Sequence, residues 1–104
     1  MILEQIKELV SEKKIKWTAH CLKQLGERDI SISDVKQCIS SSEIIEDYPD
    51  DFPHPSCLIY GCTQAGRVLH TVVGCDGESV YIITAYRPNT ITFEEDLKTR
   101  RSKR

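Results

Sequence analysis

The stretch Arg67-Val68-Leu69-His70-Thr71-Val72-Val73-Gly74-Cys75-Asp76-Gly77-Glu78-Ser79-Val80-Tyr81-Ile82-Ile83-Thr84-Ala85-Tyr86 decides the fold. It is rich in β-branched and aromatic residues, which suit a pleated, half-buried surface. Asp76-Gly77 interrupts it with the pair that favours a tight hairpin turn of the primed type. The spacing predicts two antiparallel strands, Arg67 to Cys75 and Ser79 to Tyr86, with Pro88 ending the second. Working upstream, a turn containing Gly66 joins this pair to a strand from Cys57 to Thr63. A further strand from Glu43 to Tyr48 is set apart by Pro49-Asp50-Asp51-Phe52-Pro53-His54-Pro55, because proline cannot serve a central strand. The expectation is an antiparallel sheet of three to four strands.

Before Ser42 the period changes. Ile2, Leu3, Ile6, Leu9 and Val10 recur at helical spacing within residues 2–12. A second helix is expected to start at Thr18, a good N-cap, with Trp17 and Leu22 at the two positions of a hydrophobic staple. Its apolar face is Ala19, Cys21, Leu22 and Leu25, with Gly26 near its end; His20, Gln24 and Glu27 lie opposite. A third helix follows Ser31 or Ser33 with Val35, Cys38 and Ile39 inward, and Thr92 with Glu95 predicts a short C-terminal helix. The whole is an α+β domain spanning residues 1–104, its helices grouped on one side of the sheet.

Composition agrees with one ordinary globular domain: 39% hydrophobic and 29% charged residues in 104. Glu4, Lys7 and Glu8 break the first apolar run, so no signal peptide and no membrane span are expected. Five cysteines (Cys21, Cys38, Cys57, Cys62 and Cys75) make an odd set without a C-x-x-C pair, which fits free thiols in a reducing cytoplasm. A zinc site from Cys57, Cys62, His70 and Cys75 fails on geometry, since Cys57 and Cys62 are five apart on one strand and point to opposite faces. Neither metal nor cofactor is expected. Five of the 14 basic residues crowd positions 98–104, and all 16 acidic residues precede Leu97, so an acidic body carries a basic tail. Such a body disfavours nonspecific nucleic-acid binding; a nuclease built on it needs a local positive site.

Four places carry candidate chemistry. His20 stands near a helix start, where the macrodipole favours the neutral imidazole that a general base needs; an ordinary exposed histidine is the alternative. Arg28, eight residues on, suits a phosphate or a salt bridge to Asp29 or Asp34. His70 interrupts an apolar strand, so it is either buried with partners or set in a cleft. Thr84-Ala85-Tyr86-Arg87-Pro88 offers an aromatic ring for a base and an arginine for a phosphate. A two-residue hairpin pairs His70 with Ile83 and puts Arg87, not Tyr86, on the His70 face, unless a bulge, for which Gly74 is a plausible position, intervenes. The acidic cluster Glu46-Asp47 and Asp50-Asp51 reads as a solvated loop.

The stretches Trp17-Thr18-Ala19-His20, Glu27-Arg28-Asp29-Ile30-Ser31 with Asp34-Val35, Gly61 to Thr63, Leu69-His70-Thr71-Val72-Val73 and Ile83-Thr84-Ala85-Tyr86-Arg87-Pro88 together resemble a family of domains of unknown function, DUF4258. The chain departs from the expected pattern at Cys21, where alanine is expected. That family is similar to the RelE, ParE and BrnT class of small toxins. The resemblance implies a RelE-like fold and a metal-independent endoribonuclease of a toxin–antitoxin pair. Its partners would be RNA and an antitoxin, such as a small zinc-binding protein. It implies His20, His70, Arg28 and Tyr86 as catalytic residues, with Arg87 and Thr84 binding substrate. His20 or His70 would deprotonate a ribose 2′-hydroxyl, Arg28 or Arg87 would stabilise the charge, and the other histidine or Tyr86 would protonate the leaving oxygen. The alternative is a non-catalytic protein-binding module of the same fold.

Overall fold

The computed structural model describes residues 3–101. Ile2 of the first helix and Lys103 and Arg104 of the basic tail lie outside them. Three helices and five strands run in the order α1 (Leu3–Ser11), β1 (Ile15–Trp17), α2 (Ala19–Glu27), α3 (Ile32–Ser40), β2 (Glu43–Tyr48), β3 (Ser56–Cys62), β4 (Val68–Cys75) and β5 (Val80–Tyr86). The sheet order is β1-β5-β4-β3-β2.

The helices begin where side chains can serve their first free N–H groups. Thr18 caps α2 by accepting from the Cys21 amide, and Ser31 caps α3 in a reciprocal box with Asp34. Helix α2 meets β5 along a narrow ridge: Cys21 and Leu25 are buried, whereas Ala19 and Leu22 of the expected face are exposed. Core residues of all three helices pack with Cys57, Ile59, Leu69, Val73, Val80, Ile82 and Ala85 of the sheet. Burial pushes the thiols of Cys38 and Cys57 up to about 12, and all five cysteines are unpaired.

Three expectations need correction. The sheet has five strands, not three to four, and is mixed: Ile15–Trp17 adds a short edge strand parallel to β5. A strand this short carries no readable period. The C-terminal helix does not form; residues 89–101 are turns around an isolated bridge between Phe93 and Arg100. The Asn89 side chain accepts from the amides of Ile91 and Thr92 instead, and no apolar face follows Thr92 to reward a helix.

The third correction concerns register. The hairpin loop has four residues, Asp76–Ser79, with Cys75 opposite Val80. Asp76 Oδ1 accepts from the Glu78 and Ser79 amides, and Gly77 supplies a φ of +93°. The bulge is in β5, not at Gly74: Ile82 pairs with Val73 and Thr84 with Val72, leaving Ile83 extra. Hence His70 lies opposite Tyr86 rather than Ile83, and Tyr86 shares its face while Arg87 does not. Gly74 serves close approach, since a Cβ there would strike the Tyr81 ring.

Gly61 lets β3 press against α3, because its Cβ would collide with the Cys38 backbone. Gly61→Ala is expected to destabilise by about 1–3 kcal/mol, read as a lower denaturant midpoint at unchanged slope. Thr71 Oγ1 is buried in the core without a partner among the described residues. Thr71→Val, equal in volume, should leave the thermal midpoint unchanged or raise it, since it removes an unsatisfied hydroxyl; a marked drop would mean that the hydroxyl is hydrogen-bonded after all.

Candidate functional site

Alternation along β4 and β3 gives the sheet a second face, away from the helices. His70 and Val72 lie on it, with Leu58 and Tyr60 of β3 beside them. A second bulge, at Ile45 in β2, sets Glu46 opposite Leu58 and Tyr48 opposite Ser56. Were Ile45 paired in regular register instead of bulged out, Glu46 would oppose Cys57 on the core side. The two bulges therefore bring Glu46, Tyr48 and Tyr86 to the face that carries His70.

This face is closed by the C-terminal segment. His70 is fully buried. Its Nδ1 lies 3.3 Å from the Tyr86 hydroxyl and its Nε2 2.6 Å from the Leu97 carbonyl. Because the carbonyl can only accept, Nε2 carries the proton, and Nδ1 is free to accept from Tyr86. The Phe93 ring stands edge-on to the imidazole with centroids 4.5 Å apart. Arg100 donates through Nε and Nη2 to both oxygens of Glu46, each at 3.0 Å, and the Tyr48 hydroxyl donates to Glu46 as well. Hydrogen bonding from Arg100 is the main cause holding the Glu46 carboxyl below its ordinary range, against some burial. Burial pushes the His70 imidazole below its usual value, while the Leu97 bond and the Glu46 charge pull it back. An ionised carboxylate, a proton-bearing imidazole, a guanidinium and a phenol thus share one sheet face.

The other sequence candidates stand elsewhere. His20 is exposed on α2, with the sheet between it and His70. Arg28, at the C-cap of α2, donates to Thr84 Oγ1 at 3.0 Å and to the Ala85 carbonyl at 2.8 Å. Thr84 in turn donates to Gln24. Arg87 donates to the carbonyls of Arg28 and Asp29, where Asp29 takes a φ of +55°. Arg28, Thr84 and Arg87 thus tie the end of α2 to β5. Arg87 also borders a cleft of about 300 Å³ with Arg67, Asp29 and Asp34. So His70 and Tyr86 come together, Arg28, Thr84 and Arg87 form a second group, and His20 is apart from both.

Glu46 and Arg100 were not singled out by sequence reasoning. Glu46 is half-buried in a strand rather than solvated in a loop, and Arg100 of the basic tail folds back onto it. Among the described residues no three His, Cys, Asp or Glu side chains converge as a metal site would require. None of the helices there is long and apolar enough to cross a membrane.

A family model described as a domain of unknown function (DUF4258) matches residues 17–87. No curated protein and no solved structure matches the chain.

The environment of His70 sets a pH dependence. Its folded value lies below the unfolded one, so acid protonates the unfolded chain first and stability falls as pH drops through the free-imidazole range. Unfolding free energy should decline between about pH 7 and pH 5, and the decline should shrink in His70→Gln. An equal slope in that variant would assign the effect to another group.

Proposed function

From a chain that belongs to the DUF4258 family, we propose a metal-independent endoribonuclease of the RelE, ParE and BrnT toxin class, with His70 and Glu46 as its acid–base couple. The observation that carries the reading is the second sheet face, where His70, Tyr86, Glu46 and Arg100 meet. Glu46, ionised beside Arg100, accepts the proton of a ribose 2′-hydroxyl. The 2′-oxygen attacks phosphorus, and the bond to the 5′-oxygen breaks. His70, charged as imidazolium once the site takes up substrate and a solvent proton, gives its Nε2 proton to that leaving oxygen and returns to the neutral form, while the Tyr86 oxygen holds Nδ1–H. Arg100, already forked onto a carboxylate, is suited to the negative charge on the phosphorane oxygens. The products are a 2′,3′-cyclic phosphate and a 5′-hydroxyl, and DNA, which lacks the 2′-hydroxyl, is not cut. Its partners are RNA and a neutralising antitoxin of the small zinc-binding kind.

One observation favours a second reading, a protein-binding module without catalysis. His70 is fully buried, and the guanidiniums of Arg28 and Arg87 are spent mainly on backbone carbonyls.

Incubating the purified chain with total RNA in a chelator separates the two. The nuclease reading expects fragments ending in cyclic phosphate. Glu46→Gln and His70→Gln should each lower the rate by about 10²–10⁴-fold, while His20→Ala should cleave as wild type. Loss of cleavage in His20→Ala alone would move the proton transfer to α2, and intact RNA throughout would leave the binding module.

A further inference from the structure

The described part of the C-terminal segment, residues 89–101, is held together mostly by its own bonds. The Glu94 amide donates to the Thr99 carbonyl at 2.7 Å, and the Leu97 amide to the Glu94 carbonyl at 2.9 Å. Asp96 accepts from the Lys98 and Thr99 amides and from the Thr99 hydroxyl. The Phe93–Arg100 bridge closes the base of this loop. Both feet are anchored: Phe93 is buried against His70, and Arg100 is clamped to Glu46.

Few contacts fasten the loop between those feet to the body. Leu97 O accepts from His70 Nε2. Lys98 pairs with Glu43 at 2.6 Å and stands over the Tyr60 ring at 4.7 Å. The Lys98 and Glu43 side chains are 39% and 52% exposed, so their pair is a weak, screened latch. Leu97 adopts a φ of +59°, a region costly for a residue with a side chain. The loop is thus preformed, strained at its tip and lightly tied. It also lies outside the matched residues 17–87.

We infer that Glu94 to Thr99 form a lid over His70, and that the Leu97 carbonyl stands where an oxygen of a phosphodiester is to be bound. This rests on the nuclease reading for the identity of that oxygen. Lifting the loop about its Phe93–Arg100 base frees the Nε2 proton for a substrate oxygen that accepts it as Leu97 does. The internal bonds of the loop survive the movement, and Arg100 stays beside Glu46. Opening also admits water to the imidazole and relieves the burial that keeps it neutral, so that uncovering and charging of His70 go together.

Acylation by diethyl pyrocarbonate, mapped by mass spectrometry, tests this on the full chain. Wild-type His70 should react at least tenfold more slowly than the exposed His20. Lys98→Met keeps the stem on Tyr60 but removes the latch charge; Asp96→Ala removes the acceptor that shapes the loop. Each should speed His70 labelling several-fold, with His20 labelling unchanged and the thermal midpoint near that of wild type, and should speed RNA cleavage in parallel. Equal His70 labelling in wild type and both variants would overturn the lid. So would faster labelling accompanied by an equal loss of global stability, measured by denaturant. Faster labelling in a stable variant without any cleavage would support the lid and overturn the nuclease reading.

Discussion

Two extra residues, one in each of two strands, determine what this sheet can do. Side chains on a strand alternate strictly, so one inserted residue exchanges faces for everything beyond it. Ile45 does this in β2 and Ile83 in β5. Without the first bulge, with Ile45 paired in regular register, Glu46 would be set opposite Cys57 on the core side. Without the second bulge, with Ile83 paired in regular register, Tyr86 would oppose Leu69 on the helix side and His70 would lose its phenol. Burying a carboxylate or an imidazole without a partner is strongly unfavourable, so the bulges serve folding as well as the site. They also bend the strands locally, where the polar side chains of the face converge.

The two faces of the sheet are closed by different means. The helix side has a continuous apolar core contributed by three helices and by β3, β4 and β5, with residues of β1 and β2 packed against it. Among the described residues the opposite side has no helix. It is covered by one irregular segment whose contacts are an aromatic edge, an arginine–carboxylate fork and a carbonyl on an imidazole. Polar contacts of this kind are directional and individually modest in water. Segments with few buried apolar contacts open at lower cost than the core does. The apolar face supplies most of the stability, and the polar face is where chemistry or recognition is affordable.

Much of this was legible before any coordinates. Thr18 and Ser31 announce their helices because a hydroxyl just ahead of an apolar period has a local reason to be there. The hairpin between β4 and β5 and the strands β2 and β3 follow from composition and turn residues. The partnership of His70 with Tyr86 depended on register, which a turn dipeptide does not determine when the loop runs to four residues. A usable signal existed. Both bulges fall on a doubled isoleucine, Ile44-Ile45 and Ile82-Ile83, where alternation of buried and exposed positions breaks. Thr92 and Glu95 misled for the opposite reason: a capping pattern has meaning only when an apolar helical face follows it. Glu46 was hidden among neighbouring acids, and Arg100 within a run of basic residues, where composition cannot single out the residue that folds back.

Cys38 and Cys57 are sealed in the core with thiols pushed up to about 12. At neutral pH both thiols therefore stay protonated, and, being buried, they offer alkylating reagents and oxidants little to attack while the core is closed. The two cysteines therefore act as silent reporters. At maleimide concentrations where capture outpaces reclosing, the rate at which they are labelled is the rate at which the interior opens to solvent. Movements confined to the polar face leave that rate untouched, so two chemistries on one molecule can time two separate motions.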